Sequence, residues 1–492
     1  MARFNQASTT KRIVNRAGGE AFEQSNELKL VSILLTSFVK DQYYRSGKTT
    51  LKELTDAISA VDPLFAAKAV IYARNEFGMR SITHAGVVDV CRRVKGEEWA
   101  KNFVDKAVRR PDDMMEILSR YYQVNEGKKL TMNLKKGLAK AFAKFNKYQL
   151  AKYRGEGKDV SLVDVANLVH PTGGDQEAIA KLVAGTLRSQ DTWESGLTKA
   201  GQKAKTDKEK EQLKADVWKD LVTTKKIGYF ALLRNLRNII EQAPDILPEA
   251  LGLLTNPERI SKSLVLPFRF ATASKTLQGE GINSPETYKA LSKALDLSMG
   301  NVPVFDGKTL VVVDASGSMG SVEHGNLTNF EIGALFAVAL AKTNASDIMY
   351  FGTLAKYAGI NPEDSTITLV EHLKRLNQGW SEDAGGTNVG HGTNFHAIFD
   401  EAREAYDRIV IFSDMQGWVG YHAPTKSFEN YKKRTGANPH IYSIDLSGYG
   451  SAQFPENMIY QLSGFSDKIF SLMSLLETDK QALVNEIKKI EL

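Results

Sequence analysis

Cysteine is almost absent from this chain of 492 residues; the one thiol is Cys91. A single cysteine excludes an internal disulfide and any paired-cysteine metal site, and a reducing, cytoplasmic compartment is the simplest setting for such a chain. Long apolar runs are missing as well. The opening MARFNQASTTKR has no apolar leader segment, and the stretch 31–39 is interrupted by polar residues and far too short to cross a bilayer, so no membrane role is expected. No GxxxxGK[ST], no HExxH and no complete GxGxxG occurs; Gly448 and Gly450 lack a third partner. Ser318 stands in SGSMG, without the first glycine of a nucleophile elbow. Nothing among these motifs announces catalysis, and the expectation is a protein that is not an enzyme.

What the chain does have is centred on residues 309–320, TLVVVDASGSMG. Val311, Val312 and Val313 have no polar alternation, which suits a strand of a parallel sheet buried on both faces. Asp314, Ser316 and Ser318 follow at a spacing of two, so their oxygens can converge just past the carboxyl end of that strand, where open α/β sheets place ligands. One carboxylate and two hydroxyls form a hard oxygen site, suited to Mg²⁺, Mn²⁺ or Ca²⁺ and poorly to zinc. A DASGS string alone also fits an ordinary turn. Downstream, Thr393 in HGTNFHAIFDEA precedes a helix-like run, and Asp414 ends a second apolar strand in RIVIFSDMQGW. The order DxSxS, then Thr, then Asp resembles the metal-ion-dependent adhesion site of von Willebrand factor A domains. Thr387, in Gly385-Gly386-Thr387-Asn388, competes with Thr393 for the threonine role; Thr393 is preferred because the helix it abuts fixes its position.

The length allows roughly two to four domains and a sizeable core. Nearly every segment over 26–297 shows helical periodicity, as in the apolar face of Leu28, Leu30, Val31, Leu34, Leu35 and Phe38. The expected helices include 134–150, 230–240 and 260–277, with breaks at Gly, Pro or charged residues. Serial helix pairs of this size fit a HEAT-type α-solenoid. Residues 1–300 hold 49 Lys and Arg against 35 Asp and Glu, net +14, and the remainder holds 15 against 23, net −8. A positive helical half beside an acidic half favours a polyanion on the first.

Three places in the helical half invite nucleic acid. Residues 135–154, KKGLAKAFAKFNKYQLAKYR, interleave Lys with Phe142, Phe145, Tyr148 and Tyr153; such a face tracks phosphates with bases stacking nearby, unless the aromatics are core. His170, before Pro171, ends the helix expected over 160–169 and either favours the helix carboxyl end or contacts RNA. Arg234 and Arg237 lie three apart on one helix face beside Asn235 and Asn238, a polar set that either bonds neighbouring turns or touches RNA.

NRAGGEAF (15–22), YARNEFGMRS (72–81), VRRPDD (108–113), NLVHP (167–171), TWE (192–194), GYFALLRNLRN (228–238) and LPFRF (266–270), followed by DASGSMG, resemble the TROVE module and attached A domain of the Ro ribonucleoproteins. The resemblance spans about residues 12 to 480 and implies a multidomain α plus α/β protein. A ring of HEAT-like helical repeats (12–300) would take single-stranded ends of defective RNAs in its central hole and small non-coding Y RNAs on its basic outer surface. A doubly wound α/β A domain (305–492), joined near 298–308, would help to close the ring. Carried over residue by residue, His170 matches the family's histidine on the Y RNA surface, with Lys152 and Arg154 in the basic stretch before it. Arg234 and Arg237 fall in a module motif. Asp314, Ser316, Ser318, Thr393 and Asp414 are the implied ligands of a divalent cation, Mg²⁺ foremost. Implied partners are small structured RNA, single-stranded RNA ends, an RNA-tethered nuclease and a protein ligand at the metal, all for a monomer.

Overall fold

The computed structural model describes residues 11–40, 42, 44–126, 129–155, 157–187, 193–263, 265–300, 302–324, 326–378, 388–420, 424–455, 459–464, 466, 468–477, 479 and 481–492. Gly385, Gly386, Thr387 and Thr192 lie outside them. The chain forms two compact units, Leu51–Arg259 with Ile487–Leu492, and Met1–Thr50 with Ile260–Glu486. This division by contact differs from the sequence division at 298–308, because segments from both ends of the expected helical module fold with the sheet.

The first unit is helical and built of pairs in series. Pro63–Asn75 packs on Ser81–Arg93, Trp99–Ala107 on Met132–Ala141, and Trp193–Lys203 on Asp207–Thr223. Local chemistry sets the starts. Asp62 accepts from Phe65 N with proline at the first helical position, and Thr206 accepts from Glu209 N, which starts Asp207–Thr223 within a run of charged residues. The expected helix 134–150 is broken: Met132–Ala141 runs into a 3₁₀ turn, Phe145 is extended, and Asn146 caps Lys147–Lys152 with a reciprocal bond to Gln149. The expected 230–240 likewise divides at Asn235 into Tyr229–Arg234 and Leu236–Gln242.

Two of the quoted motifs meet in this unit around one carboxylate. Asp113 is fully buried and accepts from Arg74 Nη2 (2.7 Å), Arg80 Nη2 (3.1 Å), His84 Nε2 (3.0 Å) and the backbone N–H groups of Arg109 (2.9 Å) and Arg110 (3.0 Å). Burial alone would raise its pKa, yet the His84 hydrogen bond and the Arg74 charge hold it well below the usual carboxylate range.

The second unit carries the sheet. Its strands are β1 (Arg12–Val14), β2 (Glu20–Glu23), β3 (Thr309–Asp314), β4 (Val322–His324), β5 (Leu327–Thr328), β6 (Asp347–Phe351), β7 (Ala355–Ala358), β8 (Arg408–Ser413), β9 (His440–Asp445), β10 (Ser451–Ala452) and β11 (Tyr460–Ser463). The main sheet has the order β11-β9-β8-β3-β6-β7, parallel except for β7. Helix Asn329–Asn344 is buried almost all round, and an apolar cluster including Phe395, Ile398, Phe399, Phe428 and Phe454 packs with Val312 and Ile411. Burying each such large apolar side chain contributes about 1.5–3 kcal/mol. The chain leaves β3 for β6 on one side and reaches β8 on the other, which puts the topological switch between β3 and β8.

One sheet was not expected. Before residue 309 the sequence reads as helix, yet β1 and β2 form an antiparallel hairpin, and β10 pairs with the free side of β2, Ala452 facing Phe22. Strands of three or four residues give no periodic signal, and the partner lies more than 400 positions away. Among the described residues no helix is long and apolar enough to cross a membrane.

Candidate metal centre and nucleic-acid interface

β3 and β8 are entirely buried parallel neighbours in which Val313 faces Phe412, so Asp314 stands level with Ser413 and Asp414 follows one residue beyond, at the switch point. The DxSxS segment turns at once. Ala315 N donates to Phe351 O (2.7 Å) and Ser316 N to Asp314 Oδ1 (2.9 Å) before a 3₁₀ turn over Gly317–Gly320. Ser316 Oγ lies 3.4 Å from Ser318 Oγ, and the Ser318 hydroxyl bonds to Asp414. Ser413 Oγ donates to Asp314 Oδ2 (2.5 Å), and Gln416 N donates to Asp414 Oδ1 (3.2 Å).

Thr393 joins this group through backbone bonds. Gly317 N donates to His391 O (3.0 Å), tying the DxSxS loop to the threonine loop, while Trp418 N (3.1 Å) and Val419 N (3.2 Å) donate to Thr393 O. Thr393, Ser316, Ser318, Asp314 and Asp414 are all buried, and the exposed Gly317, His391 and Trp418 belong to the same loops. The structure therefore brings Asp314, Ser316, Ser318 and Asp414 together through their side chains and ties the Thr393 loop to them through backbone bonds.

Burial pushes the Asp314 carboxyl up to about 6, and burial together with the Asp314 charge raises Asp414 well above the ordinary carboxylate range. Two buried carboxyls this close resist ionising together. A divalent cation between them removes that conflict, and two carboxylates with three hydroxyls suit a hard ion of the Mg²⁺ class. Among the described residues no group of three or more His, Cys, Asp and Glu forms a metal cluster, so hydroxyl oxygens have to supply part of any shell here.

The expected RNA residues are distributed over the helical unit. Lys152 is half-buried with Nζ 5.6 Å from the Tyr153 ring, whose environment also holds the Arg110 guanidinium at 4.8 Å. Arg154 Nη1 donates to Leu187 O (2.6 Å), so this arginine also anchors backbone. His170 is exposed and ends helix Leu162–Val169 in a left-handed conformation, φ 50°. Arg234 is exposed with its guanidinium 5.8 Å from the exposed Phe230 ring, and Arg237 reaches Glu241 at 3.8 Å. The two asparagines are structural. Asn235 Nδ2 donates to Ala231 O and Asn238 Nδ2 to Asn235 Oδ1. In the basic stretch, Phe142 and Phe145 are core, whereas Tyr148 is 43% exposed beside exposed Lys147.

Sequence reasoning missed Asp445. It ends β9 next to β8, is buried, and accepts from Ser32 Oγ (3.0 Å), Ser447 N (2.8 Å) and Gly448 N (2.8 Å); burial raises its pKa. Its signal was present: IYSID repeats the apolar-strand-then-acid pattern of IVIFSD.

Comparison with known proteins gives the following. The TROVE domain family matches residues 30–214 and 183–294, and the Ro60 vWA domain family matches residues 308–474. The RNA-binding protein RO60 of Deinococcus radiodurans is 24% identical over 251 residues, which is 47% of this chain and 45% of that protein. The telomerase protein component 1 of Mus musculus is 23% identical over 341 residues, 52% of this chain and 13% of that protein. The chain thus spans less than half the length of these curated relatives. Among solved structures, the Ro (RSR) protein of Deinococcus radiodurans superposes with a TM-score of 0.59 at 17% identity, covering 92% of this chain and 99% of that one, a likeness of fold.

Proposed function

The chain belongs to the TROVE family, and from that premise we propose that it is a non-catalytic RNA-binding protein of Ro type. It takes small structured non-coding RNA of the Y class and single-stranded ends of defective RNA, in RNA quality control or processing, where bound RNA tethers a nuclease. The observation that favours this reading most is the exposed left-handed His170 in the same helical unit as Lys147 and Tyr148, a cation and an aromatic open to solvent, and the half-buried Lys152. Lysines there neutralise phosphates, and the ring is free to stack on an unpaired base. The test is a gel shift with total small RNA from the source cells at 50 and 200 mM salt. Lys147→Glu with Lys152→Glu is expected to weaken binding severalfold or more and to flatten the salt dependence. Arg154 is left intact because its bond to Leu187 O would confound the result. Unchanged affinity in the double variant would remove this face from the RNA site.

A second reading concerns the oxygen cluster. Asp314, Ser316, Ser318, Thr393 and Asp414 hold a divalent cation, Mg²⁺ in preference to Mn²⁺ or Ca²⁺, and an open position takes water or the carboxylate of a protein ligand. Favouring it is Trp418, 48% exposed, whose backbone N–H is bonded to Thr393 O. Asp314→Ala should abolish Mn²⁺ binding in calorimetry and leave RNA affinity unchanged. Retained Mn²⁺ binding would refute the site.

A further inference from the structure

The hairpin β1–β2 has no part in either reading, yet its turn bears on the loop that carries Asp414. Asn15 is buried, and its Oδ1 accepts from Ala17 N and Gly19 N, both at 3.0 Å, which closes the turn. Its Nδ2 donates outward to Gly417 O at 2.5 Å. One residue on, Arg16 N donates to Gln416 Oε1 (2.8 Å). Gln416 is fully buried and spends its Nε2 on Ser451 Oγ (2.8 Å) and on the carbonyls of Asp414 and Met415.

Contact between the backbones is equally tight. A Cβ on Gly19 would lie 2.1 Å from Gly417 O and 2.6 Å from Trp418 Cα, so only glycine lets the turn press against residues 417–418. Met415, between Asp414 and Gln416, holds a left-handed backbone, φ 58°, a conformation that a side chain other than glycine keeps only where its surroundings impose it. The same loop then reaches Thr393 through the N–H groups of Trp418 and Val419. Asp414, at the end of β8, is bonded by Gln416 of the segment placed against the turn, and Thr393 by its Trp418 and Val419, whereas Asp314, Ser316 and Ser318 are fixed by β3 and its own turn.

We infer that the turn over residues 15–19 is a positioning element of the metal site: Asn15 and Gly19 hold the 414–419 loop so that Asp414 and Thr393 face Asp314, Ser316 and Ser318 at the spacing a hard divalent cation requires. This rests on the metal-site reading. Residues that orient ligands from behind change metal affinity by about 10–100-fold when altered.

The probe is Mn²⁺ alone, titrated into the full chain by calorimetry and followed by its paramagnetic resonance spectrum, with the Tm of the chelator-treated protein measured in parallel. Asn15→Asp keeps the two acceptor bonds that close the turn and sets a carboxylate oxygen, in place of the amide donor, against Gly417 O, which pushes the two segments apart; Gly19→Ala drives a methyl group into the 417–418 backbone. Both are expected to weaken Mn²⁺ binding about tenfold or more, to alter the spectrum of the bound ion and to leave RNA affinity unchanged. Val14→Ala, at an exposed neighbour, should leave all three readouts at the wild-type value. If Asp314→Ala still binds Mn²⁺, the site itself is wrong and the inference goes with it. If Asp314→Ala loses the ion while Asn15→Asp binds within twofold of wild type, the site stands and the positioning role is overturned, even where Gly19→Ala lowers Tm.

Discussion

His170 occupies a backbone conformation that glycine adopts freely and other residues resist, at the position where helices usually end in glycine. An exposed histidine there, where glycine would cost less, fits the RNA-contact role proposed for it. His170→Gly should therefore stabilise the protein by about 0.5–1 kcal/mol in urea unfolding while weakening RNA binding. A loss of stability, or full RNA affinity, would contradict that role. Asp113 shows the opposite case, a charged residue serving the fold. Asp113→Asn leaves the buried Arg74 guanidinium without its anion and is expected to cost about 3–5 kcal/mol. Because the folded pKa of Asp113 is depressed, its contribution is fully present above the unfolded value of about 3.9 and is lost as pH falls below it toward the folded value. The urea midpoint should accordingly fall as the pH is lowered from 5 to 2, and more steeply in the wild type than in Asp113→Asn. The pairs YARNEFGMRS and VRRPDD were visible as motifs, but nothing in the sequence says that Arg74, Arg80 and Asp113 meet, since helix packing joins them across more than 30 positions.

At the scale of elements, the legible parts were those whose signal is local and repeated. β3 and β8 announced themselves as unbroken β-branched and aromatic runs ending in an acid, and the places of Asp314 and Asp414 followed because a strand end fixes where its next side chain goes. The helices were legible as helices, but their breaks were not. Phe142 and Phe145 continue the apolar spacing, and only the extended backbone at Phe145 and the cap at Asn146 interrupt it. The helix that presents His170 starts with a capping box, Ser161 Oγ accepting from Asp164 N (3.2 Å) and Asp164 Oδ2 from Ser161 N (2.8 Å). Ser161→Ala should lower the unfolding free energy by about 1 kcal/mol with the denaturant slope unchanged. An effect under a few tenths would mean that packing alone holds this helix. The hairpin was illegible for a different reason. A strand of three or four residues has no stability of its own, and β2 depends on β10 from the far end of the chain.

The whole molecule keeps the charge asymmetry that the sequence shows, in a milder form. Divided by compact unit, Leu51–Arg259 with Ile487–Leu492 holds 38 basic against 29 acidic residues, net +9, and the rest is net −3. The basic excess belongs to the helical unit, which also carries His170, Lys152, Arg154, Arg234 and Arg237, while the buried carboxyls Asp314 and Asp414 belong to the other. Such a difference favours a polyanion on the first unit over the second. The claim at the centre is that the helical unit captures RNA. The measurement that tests it most directly is crosslinking of the protein in its native cells, followed by sequencing of the bound RNA and mapping of the crosslinked peptides, at low and high salt. A small structured RNA enriched at low salt, with crosslinks falling within residues 147–170, is the predicted result. If no RNA is enriched over an unrelated protein of equal net charge, the helical unit is a scaffold and the RNA-binding account is wrong.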